Sequence, residues 1–132
     1  MCWSNYIATP IVLKKPLRVY KVGTVSILGG FISLYRNFIY RESQTMPTVK
    51  INSEFERNSC FAIRLVGLWK CDRVYIYKGY HSYLTKEMAK CNKDEYDDIG
   101  IFEIPKGTTV YINYRHREVV STNIKYLGLL KE

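Results

Sequence analysis

The clearest hydrophobic pattern runs from Arg73 to Ile124. Arg73-Val-Tyr-Ile-Tyr-Lys78 alternates, with Val74 and Ile76 on one face and Tyr75 and Tyr77 on the other. β-Branched and aromatic residues at period two predict a half-buried strand. Gly79 ends it, and Tyr80-His81-Ser82-Tyr83 reads as a link. Leu84, Met88 and Cys91 then fall at i, i+4 and i+7, the spacing of one helical face. Thr85 is placed to cap that helix, with Glu87 in its first turn and Lys90 and Lys93 toward its end, as the helix dipole favours. A helix over about 85–92 follows, with Cys91 buried on its apolar face. Asp94 to Asp98 is too acidic to pack and reads as a solvated loop. Ile99–Ile104 is a strand, stopped by Pro105-Lys106-Gly107. Thr108–Tyr114 alternates with Val110, Ile112 and Tyr114 on one side. Arg115-His116-Arg117 is a polar turn, and Glu118–Ile124 returns, so Thr108–Ile124 reads as a hairpin.

The first half of the chain is less regular. Met1–Thr9 reads as a loose N-terminal arm, and Pro10–Leu13 as a short apolar run broken by Lys14-Lys15-Pro16. Leu17–Val22 is a strand with Leu17 and Val19 facing one way. Gly23 and Gly29-Gly30 bracket Thr24–Leu28. Phe31–Tyr40 is read as either strand or irregular, Arg41–Thr45 as a turn, Thr48–Ile51 as extended, Asn52–Ser59 as a loop and Cys60–Leu68 as a strand. The expectation is one α+β domain, mainly β. It has seven or eight short strands in a curled or barrel-like antiparallel sheet, with one short helix covering a face or end.

Length and charge sharpen this picture. A chain of 132 residues with 47% hydrophobic content suits one core. The net charge is +8. Lys14, Lys15, Arg18, Lys21, Arg36 and Arg41 stand in residues 1–41 with no acid among them, which points to an anionic partner. Twelve tyrosines supply rigid rings with polar tips. The cysteines, Cys2, Cys60, Cys71 and Cys91, make no CxxC pair and no zinc spacing, so free thiols in a reducing compartment are expected and no metal or cofactor is called for. Asp94–Asp98 does not have the spacing of a calcium loop. No basic segment followed by an apolar run opens the chain, and no apolar stretch approaches the ~20 residues of a membrane span. The expected location is the cytoplasm.

Candidate chemistry comes in two kinds. His81 stands between a strand, a glycine and a helix, where with Ser82 and Tyr83 it is a candidate general base or phosphate ligand. The competing reading is a histidine that holds the link by local hydrogen bonds. Glu118 with Tyr80 and His81 faintly matches a transferase constellation. The richer signal is cation beside ring: Arg18 and Lys21 around Tyr20, Arg36 after Tyr35, Arg73 and Lys78 around Tyr77, and Arg115 and Arg117 after Tyr114. Rings stack on bases and guanidinium forks grip phosphates. The competing reading is a solvated sheet face with cross-strand tyrosine pairs.

The order Arg18-Val-Tyr-Lys-Val22, Tyr35-Arg-Asn-Phe-Ile-Tyr40, Tyr77-Lys-Gly-Tyr-His-Ser-Tyr83, Ile104-Pro-Lys-Gly-Thr108 with Tyr111 and Asn113, and Glu118-Val-Val-Ser121 resembles a largely uncharacterised family of small proteins encoded by phages and mobile elements of bacteria. The likeness spans about 16–124. It implies action inside a bacterial host cell and carries no catalytic residue.

The expectation drawn from all this is a non-catalytic binder of a nucleotide or cyclic nucleotide, able to sequester a bacterial immune signal. Arg18, Lys21, Arg36, Arg73, Lys78, Arg115 and Arg117 would contact phosphate, with Tyr77, Tyr80 and Tyr111 stacking beside His81. A homo-oligomer would deepen such a site. The alternatives are a nucleic-acid binder using the basic first third, a small transferase or hydrolase using His81, and an inhibitor of a host protein anchored by Trp3, Trp69 and tyrosines.

Overall fold

The computed structural model describes residues 5–7, 10–27, 29–33, 39–41, 46, 52–55 and 73–131, with 5–7, 52–55 and 73–78 described by their backbone path. Twelve strands and one helix occur among these residues: β1 (Asn5–Ile7), β2 (Ile11–Val12), β3 (Leu17–Val25), β4 (Phe31–Ser33), β5 (Ile39–Tyr40), β6 (Asn52–Phe55), β7 (Arg73–Lys78), β8 (Tyr80–Tyr83), α1 (Lys86–Cys91), β9 (Asp98–Ile104), β10 (Thr109–Asn113), β11 (Glu118–Ser121) and β12 (Lys125–Leu129). Among the described residues the fold is mainly antiparallel β with one short helix. A large sheet runs β12-β9-β3-β8-β11-β10-β2, with β4 and β5 branching from the upper part of β3. It is curled but not closed. Strands β1-β7-β6 form a second, small sheet, whose β1 lies beside β10 of the large one.

Several expectations change here. Tyr80–Tyr83 is not a link but strand β8, paired with β11 and touching β3 through Tyr20 and Tyr83. All four of its residues are buried, so neither face shows the polar contrast that marks a half-exposed strand. Gly23 does not end β3; the strand continues to Val25 and pairs with β4 beyond it. Asn52–Phe55 pairs with β7 instead of forming a loop. Lys125–Leu129 adds an unanticipated edge strand beside β9. Tyr114 leaves the Val110–Ile112 side, because β10 ends at Asn113 and Tyr114 enters the turn, exposed. The predicted strand Cys60–Leu68 and the segment Thr48–Ile51 lie outside the described residues.

The helix is capped as anticipated, with the Thr85 hydroxyl accepting from the Met88 amide at 3.2 Å. Its buried face centres on Ala89, with Met88 half-buried. Cys91 occupies the last helical position and is exposed, which corrects its assignment to the apolar face. A helix of six residues has little more than one turn to bury, and Cys91 falls past the contact.

The inner, concave face of the large sheet carries the main core. Val19, Phe102, Ile104, Val110, Ile112 and Val119 pack there with Phe31, Tyr40, Tyr80, Ile124 and Tyr126. Phe102 is its hub, edge-on to Tyr40 at 4.9 Å and to Phe31 at 5.6 Å, and tilted against Tyr126 at 5.0 Å. Two glycines make room for the Phe31 ring. A β-carbon on Gly23 would collide with the Ile32 carbonyl oxygen and come within 2.8 Å of Phe31, and one on Gly100 would come within 2.8 Å of Phe102. The outer face carries a second cluster, in which Val22, Tyr83 and Ile99 pack under Ala89 of α1.

Candidate functional site

The alternation of β3 sends Leu17, Val19 and Lys21 to the inner face, and Arg18 and Tyr20 to the outer one. Lys21 therefore points into the core. It is 4% exposed. Its ammonium donates to the His81 carbonyl oxygen and lies 5.3 Å from the centre of the Tyr40 ring and 5.8 Å from that of Phe102. Gly100, its cross-strand partner, has no side chain to compete for the space. Two ring faces and one carbonyl replace only part of the water an ammonium loses. Burial accordingly lowers the Lys21 pKa from 10.5 to about 7. Burial likewise raises the Tyr40 phenol, with the neighbouring Tyr80 adding to the effect.

Tyr80 shares this inner face, 5% exposed and edge-on to Tyr40 at 6.4 Å. Lys21 and Tyr80 are thus part of the core, separated by the sheet from the solvent-facing cations. His81 points the other way. On the outer face Tyr111, Val120 and His81 form one cross-strand row, and Asn113, Glu118 and Tyr83 form the next. His81, Asn113, Glu118 and Tyr83 are all buried and Tyr111 is half-buried. Both ring nitrogens of His81 are shielded from solvent. Burial raises the Tyr83 phenol, and the Glu118 charge raises it further. His81 and Glu118 therefore do share a face, on adjacent strands and offset by one row. Val120, in the same row as His81, is fully buried, so a substrate would have to displace covering chain to reach them.

The exposed candidates lie elsewhere. Arg115 and Arg117 sit in the turn between β10 and β11, with Tyr114 at 60% exposure and His116 exposed beside them. The turn is held from both sides. The Asn113 side-chain oxygen accepts from the His116 amide at 3.1 Å, and the Arg117 carbonyl accepts from the Leu84 amide at 2.7 Å. Arg117 takes a left-handed conformation, φ 51°, that completes the reversal. Tyr114, the ring of this turn, was not among the residues expected to stack; its exposure follows from the early end of β10.

Arg18 is exposed on the outer face two strands away, paired in register with Glu103, which in turn faces Lys125. Arg73, Tyr77 and Lys78 belong to β7 in the small sheet, joined to β8 through Gly79 at φ 140°. Arg36, Trp3 and Trp69 lie outside the described residues. The structure thus brings Arg115 and Arg117 together, places Tyr111 on the same hairpin, and puts Lys21 and Tyr80 on the opposite side of the sheet from His81.

Among the described residues no group of three or more His, Cys, Asp and Glu side chains is placed to hold a metal ion. No helix among them is long and apolar enough to cross a membrane. Comparison of the chain with family models, with curated proteins and with solved structures finds no match.

Proposed function

We propose that this protein is a small, non-catalytic binder of a base-containing phosphate ligand of the nucleotide or cyclic-nucleotide class, gripped by the β10–β11 turn. The observation that carries the reading is the run Tyr114-Arg115-His116-Arg117, which sets a ring, two guanidinium groups and an imidazole on consecutive exposed residues of a braced turn. Guanidinium forks match phosphate oxygens and the ring offers a face for a base. Bracing lowers the ordering cost of capture. Half-buried Tyr111 lies on the same hairpin, and Arg73, Tyr77 and Lys78 precede β8 in the chain. A phage or mobile-element origin would make such a protein a sponge for a bacterial immune messenger in the host cytoplasm, with a second copy deepening an otherwise shallow site.

Native mass spectrometry of protein purified from bacteria reads subunit number and co-purifying nucleotide together. Calorimetry with a panel of linear and cyclic nucleotides then gives affinity. The expectation is a bound member of the panel, weakened at least tenfold by Arg115→Ala or Arg117→Ala, each of which removes a charge-assisted contact worth about 1.5–3 kcal/mol. A ligand-free protein that ignores the whole panel ends this reading.

A further inference from the structure

A second basic surface lies where the large sheet folds over, and it is built from two turns far apart in sequence. Leu13 donates to the Thr108 carbonyl at 3.0 Å and accepts from the Gly107 amide at 2.8 Å, so Leu13–Pro16 and Pro105–Thr108 run side by side. Lys14, Lys15 and Lys106 project from them and are exposed. Leu17 pairs with Ile104 directly beyond, which brings exposed Arg18 to the same corner, and the row Arg18–Glu103–Lys125 extends it across β9 to β12. Among the described residues five cations thus face one carboxylate. The acidic turn Asp94–Asp98 stands at the opposite end of β9, about 20 Å away at ~3.3 Å per residue, so the two charges are segregated along the sheet.

We infer that this corner docks the phosphate backbone of double-stranded nucleic acid. The cations are mostly lysines, which act as point charges and do not impose the planar fork geometry of arginine. No aromatic residue occurs in 13–18, 103–108 or at Lys125, and Tyr20, next after Arg18 on the outer face, is half-buried, so among the described residues the corner offers no exposed ring platform for unstacked bases, as a single-strand groove would. A duplex presents a charge every ~1.7 Å of axis and needs no base contact to be held. Binding here is therefore indifferent to sequence, and the remote acidic turn orients the protein by repulsion. This surface is distinct from the Tyr114–Arg117 turn and does not depend on it.

Fluorescence anisotropy with a labelled 20-base-pair duplex of arbitrary sequence, from 50 to 200 mM KCl, tests it. Each phosphate neutralised contributes about −0.9 to the slope of log K against log salt, so four contacts give a slope near −4. The triple variant Lys14→Gln/Lys15→Gln/Lys106→Gln changes only exposed side chains. Its slope falls by about three and its affinity at 50 mM KCl by tenfold or more. Arg115→Gln/Arg117→Gln leaves both values near wild type, which separates this surface from the nucleotide grip. The inference is overturned by absence of duplex binding at 50 mM KCl, by a triple variant with wild-type affinity and slope, or by binding to anionic phosphatidylglycerol vesicles with none to duplex.

Discussion

Lys21 makes a quantitative demand on stability. Unfolded, the amine keeps its proton up to 10.5; folded, burial releases it near 7. Between those values the unfolded chain binds more protons, so stability rises with pH. Below the lower value both states are charged, and the fold carries the whole penalty of an ammonium held by two rings and one carbonyl, about 5 kcal/mol at 1.36 kcal/mol per pKa unit. From pH 7 to pH 9 the linkage integrates to a gain of about 2 kcal/mol. The trend reverses above pH 10. There the Tyr40, Tyr80 and Tyr83 phenols, all raised by burial, stay protonated in the fold but ionise in the unfolded chain. Lys21→Met keeps the length and apolar stem of the side chain and removes the titration. It leaves the His81 carbonyl without that donor, a cost of about 1–3 kcal/mol at every pH. Urea unfolding at pH 7, 8 and 9 should show wild-type stability climbing by about 2 kcal/mol while the variant stays flat over the same interval. Parallel curves for the two proteins would mean that the ammonium is solvated in the fold, and the inner-face assignment of Lys21 would be wrong.

Three further outcomes follow from local geometry. Gly23→Ala drives a methyl into the Ile32 backbone and the Phe31 ring, so denaturant unfolding should show a loss of at least 1–3 kcal/mol, with β4 the element displaced. Arg117→Gly removes the left-handed strain of a residue at φ 51°, and calorimetry should show a gain of up to about 1 kcal/mol while the same change weakens nucleotide binding. Thr85→Ala deletes the hydroxyl that accepts from Met88, and should cost about 1 kcal/mol in urea unfolding with helical signal lost first.

Element types were legible where the sequence carried a local period. β11 ends at Ser121, three residues before the expected Ile124, but β7, β9, β10 and α1 lie within a residue or two of their expected positions, and all announce themselves by alternation or by i, i+4 spacing. β8 did not, because both of its faces are covered and Tyr-His-Ser-Tyr has no polar side to reveal a period. Lys21 shows the same limit from the other direction. Its parity with Leu17 and Val19 is written in the chain, yet charge argued for solvent and only the curl of the sheet put that parity inside.

The cations tell the rest. Composition revealed their excess and its lean toward the first third, since a charge count needs no folding. Which of them meet is a matter of pairing between distant segments: Leu13 bonding Gly107 and Thr108 joins Lys14 and Lys15 to Lys106, while the early end of β10 exposes Tyr114 beside Arg115 and Arg117. Local pattern encodes the period of each strand. Partners, register and the buried side are set by the collective packing of residues up to a hundred positions apart, so they exist only once the chain has folded.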